Sequence, residues 1–149
     1  MRKSLIVDLD NTLFDSTELE KYIPVDKHDR AGWDLYATKY YLVKPNKWCV
    51  GFIKKYKDDY RIIFMTARED TIKGRLDTIK EINKVLPELD YILHMRPYNN
   101  FDNSDVVKLN LYNNRIKDYY EVEFAIDDDE QNCKMFIKQG IKTIYCGKN

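Results

Sequence analysis

The chain has 149 residues, and its 25 lysines and arginines balance 25 aspartates and glutamates, so the formal net charge is zero. This length suits one domain with a buried core, and the balanced charge argues against long-range capture of nucleic acid by a basic coat, though not against a local basic cleft. No run reaches the ~20 apolar residues of a membrane helix. The first residues lead directly into an apolar run, so we expect no signal peptide. Three scattered cysteines without clustered histidines predict reduced thiols in a cytoplasmic protein.

Five short apolar runs predict the strands of one sheet. They are Leu5–Leu9, Ile62–Met65, Tyr91–Met95, Val122–Ile126 and Thr143–Tyr145. Stretches with helical apolar spacing separate most of these runs. The alternation predicts an α/β protein with a three-layer, Rossmann-like arrangement, in which helices cover both faces of a five-stranded parallel sheet.

Four helices are predicted between the strands from the spacing of apolar residues. The side chains expected to face the core include Trp48, Phe52, Ile53, Tyr56, Ile72, Leu76, Ile79, Ile82, Val107, Leu111, Cys133, Phe136 and Ile137. Asp70 and Ser104 are predicted to cap the second and third of these helices, and Gly140 ends the fourth.

The stretch from Asp15 to Lys44 breaks the alternation. It is too short for a second domain, so we expect a single domain over residues 1–149 with a flap or minimal cap at about 15–44. Trp33, Tyr36 and Tyr40 fit one helical face within this stretch. That face is predicted to be part of the core rather than a platform on which nucleobases stack.

The first strand ends in two carboxylates, Asp8 and Asp10, followed by Asn11 and Thr12. Ligands of parallel sheets bind at the carboxyl ends of the strands. Two carboxylates there favour a hard divalent cation, and they place a nucleophile beside a proton donor. An acidic turn without any such function is the alternative.

Other strand ends carry complementary groups. Thr66 and Arg68 follow the second strand, Arg96 the third, and Asp127, Asp128 and Asp129 the fourth, while Lys108 lies early in the preceding helix. The parallel sheet brings these groups to one edge. Clustered carboxylates there need a cation, for which oxygen ligands favour Mg²⁺, and hydroxyl, guanidinium and ammonium donors suit phosphate oxygens. The set predicts phosphoryl transfer.

These motifs resemble those of the haloacid dehalogenase-like superfamily of phosphatases. Asp8-Leu-Asp10-Asn-Thr12 is similar to the first motif, Thr66 to the second, Lys108 to the third and Asp127-Asp128 to the fourth. The resemblance implies that Asp8 attacks phosphorus and that Asp10 protonates the leaving oxygen and later activates water. It also implies that Thr66 and Lys108 hold the phosphoryl group.

The same resemblance implies a Mg²⁺ site formed by Asp8, the backbone carbonyl of Asp10, and Asp127 or Asp128, with the choice between the last two left open. Asn11 stands where many relatives have glycine. Asparagine tolerates the left-handed backbone better than other non-glycine residues, so we expect the turn after Asp10 to be retained.

A closer resemblance is to the 3′-phosphatase domain of phage polynucleotide kinase-phosphatases. The stretches that carry it are 28–34, 66–69, 104–108 and 125–128. It implies that Arg30 and Arg68 contact the scissile phosphate or the leaving strand and that Asp105 orients one of them, while Arg96 is a further candidate for substrate binding. Ser104 stands where relatives commonly have an acid, which leaves the arginine pairing open.

The chain has no G-x-x-x-x-G-K-[ST] loop, so a 5′-kinase activity is not expected of it. The absence of a large cap favours a bulky substrate, and the preferred function is removal of 3′-phosphates from DNA or RNA ends. A nucleotidase acting on free nucleoside monophosphates and a non-catalytic end-binding module are the alternatives. A phosphorylated nucleic-acid end or a nucleotide is therefore the expected partner, and no membrane is.

Overall fold

The computed structural model describes residues 2–147. Its strands are β1 (Ser4–Val7), β2 (Phe14–Asp15), β3 (Lys44–Pro45), β4 (Arg61–Glu69), β5 (Tyr91–Arg96), β6 (Val122–Asp127) and β7 (Lys142–Tyr145). Its α-helices are α1 (Thr17–Glu20), α2 (Arg30–Ala37), α3 (Lys47–Tyr56), α4 (Ile72–Val85), α5 (Ser104–Leu111) and α6 (Glu130–Lys138). A 3₁₀ turn covers Tyr40–Leu42 and a π-helical turn covers Tyr112–Ile116. Within residues 2–147, no helix has the length and apolarity needed to span a membrane.

Five strands form one parallel sheet in the order β5-β4-β1-β6-β7. The chain therefore builds outward from β1 on one side and then returns to the other side of β1 with β6. This reversal puts a crevice at the carboxyl end of β1, which is where open α/β sheets bind ligands. The predicted five-stranded parallel sheet is confirmed.

Both faces of the sheet are buried, because successive residues of a strand point to opposite sides. Leu5 and Val7 pack on one side with Ile53 of α3 and Ile82 of α4. Ile6 and its neighbours pack on the other side with residues of α5 and α6. The continuous apolar runs in the sequence reflect this two-sided burial, and the three-layer prediction is confirmed.

Several helix faces differ from the prediction. Helix α4 is capped by Thr71, whose hydroxyl accepts from the Gly74 amide at 2.9 Å, whereas Asp70 forms an ion pair with Arg75. Ile72 is 86% exposed as a result, and Leu76 is also exposed. The buried face of α4 carries Gly74, Thr78, Glu81 and Ile82, and Ile79 packs against the core. The predicted core face is therefore confirmed for Ile79 and Ile82 and wrong for Ile72 and Leu76.

Other differences from the prediction concern single residues and the ends of elements. Trp48 on α3 and Ile137 on α6 are exposed, because each helix buries a narrower stripe that centres on its neighbouring residues, such as Cys49 and Phe136. Ser104 is the first residue of α5 rather than its cap, which is Asn103. Strand β4 continues to Glu69, four residues beyond the predicted end.

The segment between β2 and β3 is the flap of this structure. Its ends are joined by antiparallel pairing of Phe14 with Pro45 and of Asp15 with Lys44. It holds α1, α2 and the 3₁₀ turn, and Tyr40 is buried there. None of the residues of α2 is fully buried. The prediction of a core face is therefore correct for Tyr40, whereas Trp33 and Tyr36 are only half-buried.

Candidate active site

A cavity of about 420 Å³ opens at the carboxyl ends of β1 and β4, beneath the flap. Seven of the predicted site residues line it: Asp8, Asp10, Thr66, Arg68, Arg96, Lys108 and Asp128. Asn11, in the turn after Asp10, has a φ of 61°, as expected for the residue that replaces glycine there. The sheet thus brings together residues that are up to 120 positions apart in sequence.

A buried lysine links two of the strand ends. The Lys108 ammonium donates to Asp8 Oδ1 at 2.9 Å and to Asp127 Oδ2 at 2.7 Å. Burial lowers the pKa of Lys108, but the charges of Asp127 and Asp8 outweigh it and raise the pKa above its usual value. The Thr12 hydroxyl donates to Asp8 Oδ2 at 2.9 Å. Asp8 is therefore fixed from both sides with its carboxylate at the cavity.

Three carboxylates meet beside this lysine. Oxygen atoms of Asp8, Asp127 and Asp128 lie within 4.8 Å of one another. Burial, and then the charge of Asp127, raise the pKa of Asp8 well above its usual value, although Lys108 acts in the opposite direction. Burial likewise raises the pKa of Asp128. This crowding of buried carboxylates with oxygen-only donors fits a hard divalent cation.

Asp10 has a different environment from Asp8, although only one residue separates them. Arg68 donates to both of its oxygens, from Nε at 2.9 Å and from Nη2 at 2.7 Å, and the Ser16 hydroxyl donates at 2.6 Å. Burial raises the pKa of Asp10, but the charge and hydrogen bonds of Arg68 outweigh it and lower the pKa. Without a bound cation, the surroundings thus favour the acid form of Asp8 and the ionised form of Asp10, and a divalent cation beside Asp8 would favour its ionised form.

Arg68 is itself buried, and its guanidinium stacks 4.0 Å from the centre of the Tyr40 ring. Arg68 donates to Asp10 from Nε and Nη2 and to Thr78 from Nη1, and it also lines the cavity. The expected contact with the scissile phosphate or the leaving strand stays a prediction. The sequence identified the residue but not its partner.

Arg30 and Asp105 do not form the predicted pair. Arg30 begins helix α2 rather than lying in a loop, and it is bound by Glu69 and Asp34. Asp105 accepts from the Val106 amide at 2.9 Å, and among residues 2–147 it forms no ion pair with an arginine. In this structure Asp105 therefore contacts neither Arg30 nor Arg68, and its expected role in orienting one of them stays a prediction.

Arg96 has no carboxylate partner within the described part of the chain. Its guanidinium donates to the carbonyl oxygens of Ala67 at 2.8 Å, Asn100 at 3.0 Å and Asp102 at 2.6 Å. These bonds fix the group at the cavity wall, and the carboxylates whose charges act on it, Glu69 and Asp102, form no ion pair with it. Arg96 is thus a fixed positive charge facing the cavity.

Asn132 is a site residue that sequence reasoning missed. Its side-chain amide donates to Ser104 at 3.1 Å and to Asp127 at 3.3 Å, while its buried Oδ1 has no partner in residues 2–147. Asn132 is the third residue of α6, and its backbone amide donates to the side chain of the helix cap, Asp129, at 2.9 Å. The spacing of a helix cap from the acidic turn could therefore have indicated its position. Glu69, which binds Arg30, lies in the stretch 66–69, but the sequence predicted no role for it.

Residues 2–149 match the family model of the polynucleotide kinase PNKP phosphatase domain. The chain belongs to this family. Membership in the PNKP phosphatase family confirms the resemblance to haloacid dehalogenase-like phosphatases and identifies the chain as a phosphatase domain. The comparison with curated protein sequences gives no significant match.

Solved structures share the fold of this PNKP-type phosphatase domain. A chain of the Pnkp1/Rnl/Hen1 RNA repair complex is similar over the whole of this chain and 43% of its own length, with 23% identity and a TM-score of 0.78. A second structure of the Pnkp1/Rnl/Hen1 complex gives 23% identity, a TM-score of 0.75 and 48% coverage of its chain. This protein thus spans less than half the length of both chains.

A haloacid dehalogenase-like hydrolase from Streptococcus pneumoniae also has this fold. It shares 13% identity, a TM-score of 0.67, and coverage of 97% of this chain and 84% of its own. At these identities the structural likeness shows the fold alone.

Proposed function

We propose that this chain is a Mg²⁺-dependent phosphomonoester hydrolase that removes 3′-phosphates from DNA or RNA ends through an aspartyl-phosphate on Asp8. The observation that carries the proposal is the division of environments between Asp8, which Lys108 and Thr12 fix at the cavity, and Asp10, which Arg68 orients beside it. A nucleophile and an acid/base group are thereby presented from one strand end.

In the first step, an oxygen of Asp8 bonds to phosphorus as the bond from phosphorus to the 3′-oxygen breaks. Asp10 donates its proton to that departing oxygen. In the second step, Asp10 takes a proton from water, whose oxygen bonds to phosphorus and releases Asp8. Phosphate and a 3′-hydroxyl end are the products, and both aspartates return to their starting states.

Donors that line the cavity support the phosphoryl group. Thr66 is buried at the end of the apolar part of β4, and its hydroxyl accepts from the Arg68 amide at 3.1 Å, which leaves its proton to donate. Lys108 supplies positive charge beside Asp8. Donors fixed before the reaction stabilise charge that develops in the transition state.

The carboxylate cluster fits Mg²⁺, and Asp8 and Asp128 are the ligands we favour, together with the Asp10 carbonyl. Asp127, unlike Asp8 and Asp128, does not line the cavity. It accepts from Lys108 at 2.7 Å and from the Asp129 amide at 3.0 Å, so we assign it the role of orienting the lysine. When bound, Mg²⁺ supplies charge neutralisation between Asp8 and the phosphoryl oxygens.

Two comparisons favour a nucleic-acid end as the substrate. The family is that of the phosphatase domain of a polynucleotide kinase, and the fold is similar to that of a chain in an RNA repair complex. The small flap agrees with an end that enters while the strand remains outside. The unpaired charge of Arg96 is suited to a phosphodiester.

One observation favours a nucleotidase instead: a cavity of about 420 Å³ is at the small end of ligand pockets and suits a single nucleotide.

The test is phosphate release in Mg²⁺ from four substrates: a 3′-phosphorylated oligonucleotide, its 5′-phosphorylated twin, and 3′- and 5′-mononucleotides. We expect the highest kcat/KM for the 3′-phosphorylated oligonucleotide, and its KM should rise with salt because contacts to phosphodiesters are screened. Faster turnover of the free mononucleotides, without a salt effect, would replace this proposal with the nucleotidase.

A further inference from the structure

Part of the cavity wall is aromatic. Trp33 and Tyr36 lie one turn apart on α2 and line the cavity that holds Asp8 and Asp10. Their rings meet edge to face with centroids 5.3 Å apart, and Tyr36 meets the buried Tyr40 in the same way at 5.6 Å. Because Tyr40 is embedded in the protein, this series of rings has a fixed base, and Trp33 is at its outer end.

The polar edge of Trp33 is already satisfied. Its indole N–H donates to the Lys27 carbonyl at 2.8 Å, which fixes the plane of the ring. The ring therefore has no further hydrogen bond to offer and presents only its apolar surface to a ligand. A flat, rigid and apolar surface of this kind suits another flat ring, and every nucleobase has one.

Unlike the indole N–H of Trp33, the hydroxyl of Tyr36 is free to form a hydrogen bond with a ligand. Within residues 2–147 it forms no hydrogen bond, although it lines a cavity with several charged groups. Burial, and then the charge of Asp10, raise the pKa of Tyr36 well above its usual value, so the phenol keeps its proton. It can donate to an oxygen of a ligand bound next to Asp10.

The surrounding charge suits the remainder of a nucleotide. Arg96 and Lys27 also line the cavity, and among the described residues neither forms an ion pair. A phosphoryl group beside Asp8 fills only a small part of about 420 Å³, so the cavity has room for the sugar and base attached to it.

We propose that Trp33 and Tyr36 form a nucleoside subsite, in which the indole stacks on the base of the terminal nucleotide and the Tyr36 hydroxyl donates to an oxygen of the same nucleotide. This proposal rests on the proposed function and adds a requirement to it. The phosphate must be carried by a nucleotide with a base, not by an abasic sugar.

The kinetic test compares two 3′-phosphorylated oligonucleotides that differ only in whether the last residue carries a base. The wild-type protein should prefer the base-bearing substrate in kcat/KM by about 10- to 100-fold, the range expected for one stacked base. Trp33→Ala should bring this ratio toward one, whereas Trp33→Phe should retain much of it. Trp48→Ala is the matched control, because Trp48 is exposed on α3 outside the cavity and the ratio should not change.

A binding measurement separates this proposal from the proposed function. The double variant Trp48→Phe and Asp8→Asn has one tryptophan and should not consume its ligand. Its fluorescence should be quenched by the base-bearing 3′-phosphorylated oligonucleotide and much less by the abasic one. Equal quenching by both, or a wild-type preference that survives in Trp33→Ala, would overturn the subsite while leaving the phosphatase intact. Absence of phosphate release from every substrate, with selective quenching retained, would instead overturn the proposed function alone.

Discussion

Arg68 binds the carboxylate of Asp10 through two hydrogen bonds, from Nε to Oδ2 at 2.9 Å and from Nη2 to Oδ1 at 2.7 Å. This two-pronged contact needs a planar guanidinium, which lysine cannot replace. It fixes the direction of the Asp10 carboxylate and lowers its pKa in spite of burial. Arg68 therefore controls when the proposed acid/base group carries a proton.

Arg68→Gln should move the alkaline limb of the kcat/KM profile to higher pH. Asp10 must be protonated to act as the acid, and the protonated form exists below its pKa. Removing the Arg68 charge raises that pKa, so the acid form persists to higher pH even if the maximal rate falls. The profile of Arg75→Gln, which loses an ion pair with Asp70 and a hydrogen bond to the Leu93 carbonyl but no contact with Asp10, should keep the wild-type limb. An unchanged limb in Arg68→Gln would contradict this role.

Lys108→Met should lower the free energy of unfolding by about 3–5 kcal/mol at neutral pH, because two buried carboxylates lose the cation between them. The loss should shrink as the pH falls and Asp8, whose pKa burial raises, is protonated. Urea unfolding at pH 7 and pH 5 measures both effects. Lys134→Met, which removes an exposed pair with Glu130, should cost less than about 1 kcal/mol. Equal costs for the two variants would show that Lys108 is not a buried link.

Glu69→Gln should weaken the fall in the free energy of unfolding that the wild-type protein shows at acidic pH. Burial raises the pKa of Glu69, but the hydrogen bonds from Arg30 and the Asn99 amide outweigh it and lower the pKa. A lowered pKa stabilises the folded state above the unfolded value, about 4.5, and this stabilisation is lost as the pH falls through the folded value. The free energies of wild type and variant should therefore converge below pH 4. Parallel curves from pH 6 to pH 3 would exclude this contribution.

Asp128→Asn should reduce the rise in Tm that Mg²⁺ gives the wild-type protein, because a cation that binds only the folded state stabilises it in proportion to its affinity. In EDTA the same variant should be at least as stable as wild type, since one of three crowded carboxylates is gone. Asp118→Asn, on an exposed turn, should retain the full Mg²⁺ shift. An equal shift in both variants would place the cation elsewhere.

The sequence predicted the sheet and the residues at its edge because both depend on local patterns. Buried parallel strands are continuous apolar runs, and their carboxyl ends converge whatever the details of packing. Asp8, Asp10 and Lys108 could be placed for that reason. The partners of the arginines could not, because a choice between Asp10, Glu69 and Asp105 depends on helix phase and on where the flap lies.

The sequence also did not predict correctly which residues of some helices face the core. Ile72 and Leu76 fit an apolar stripe, yet Thr71 caps α4 and turns them outward. Trp33 and Tyr36 were interpreted as core because aromatic residues at helical spacing usually are. Only the position of α2 beside the cavity shows that the two rings line it.

The most direct measurement of the central claim is phosphate release from a 3′-phosphorylated oligonucleotide in Mg²⁺ by Asp8→Asn, with Asp118→Asn as the matched carboxylate-to-amide control. Asparagine retains the shape of Asp8 but removes the attacking oxygen anion, so we expect Asp8→Asn to lose activity by at least about 10³-fold. Asp118→Asn should retain the wild-type rate. Activity in Asp8→Asn close to that of the control would contradict a covalent mechanism on Asp8 and with it the proposed function of this site.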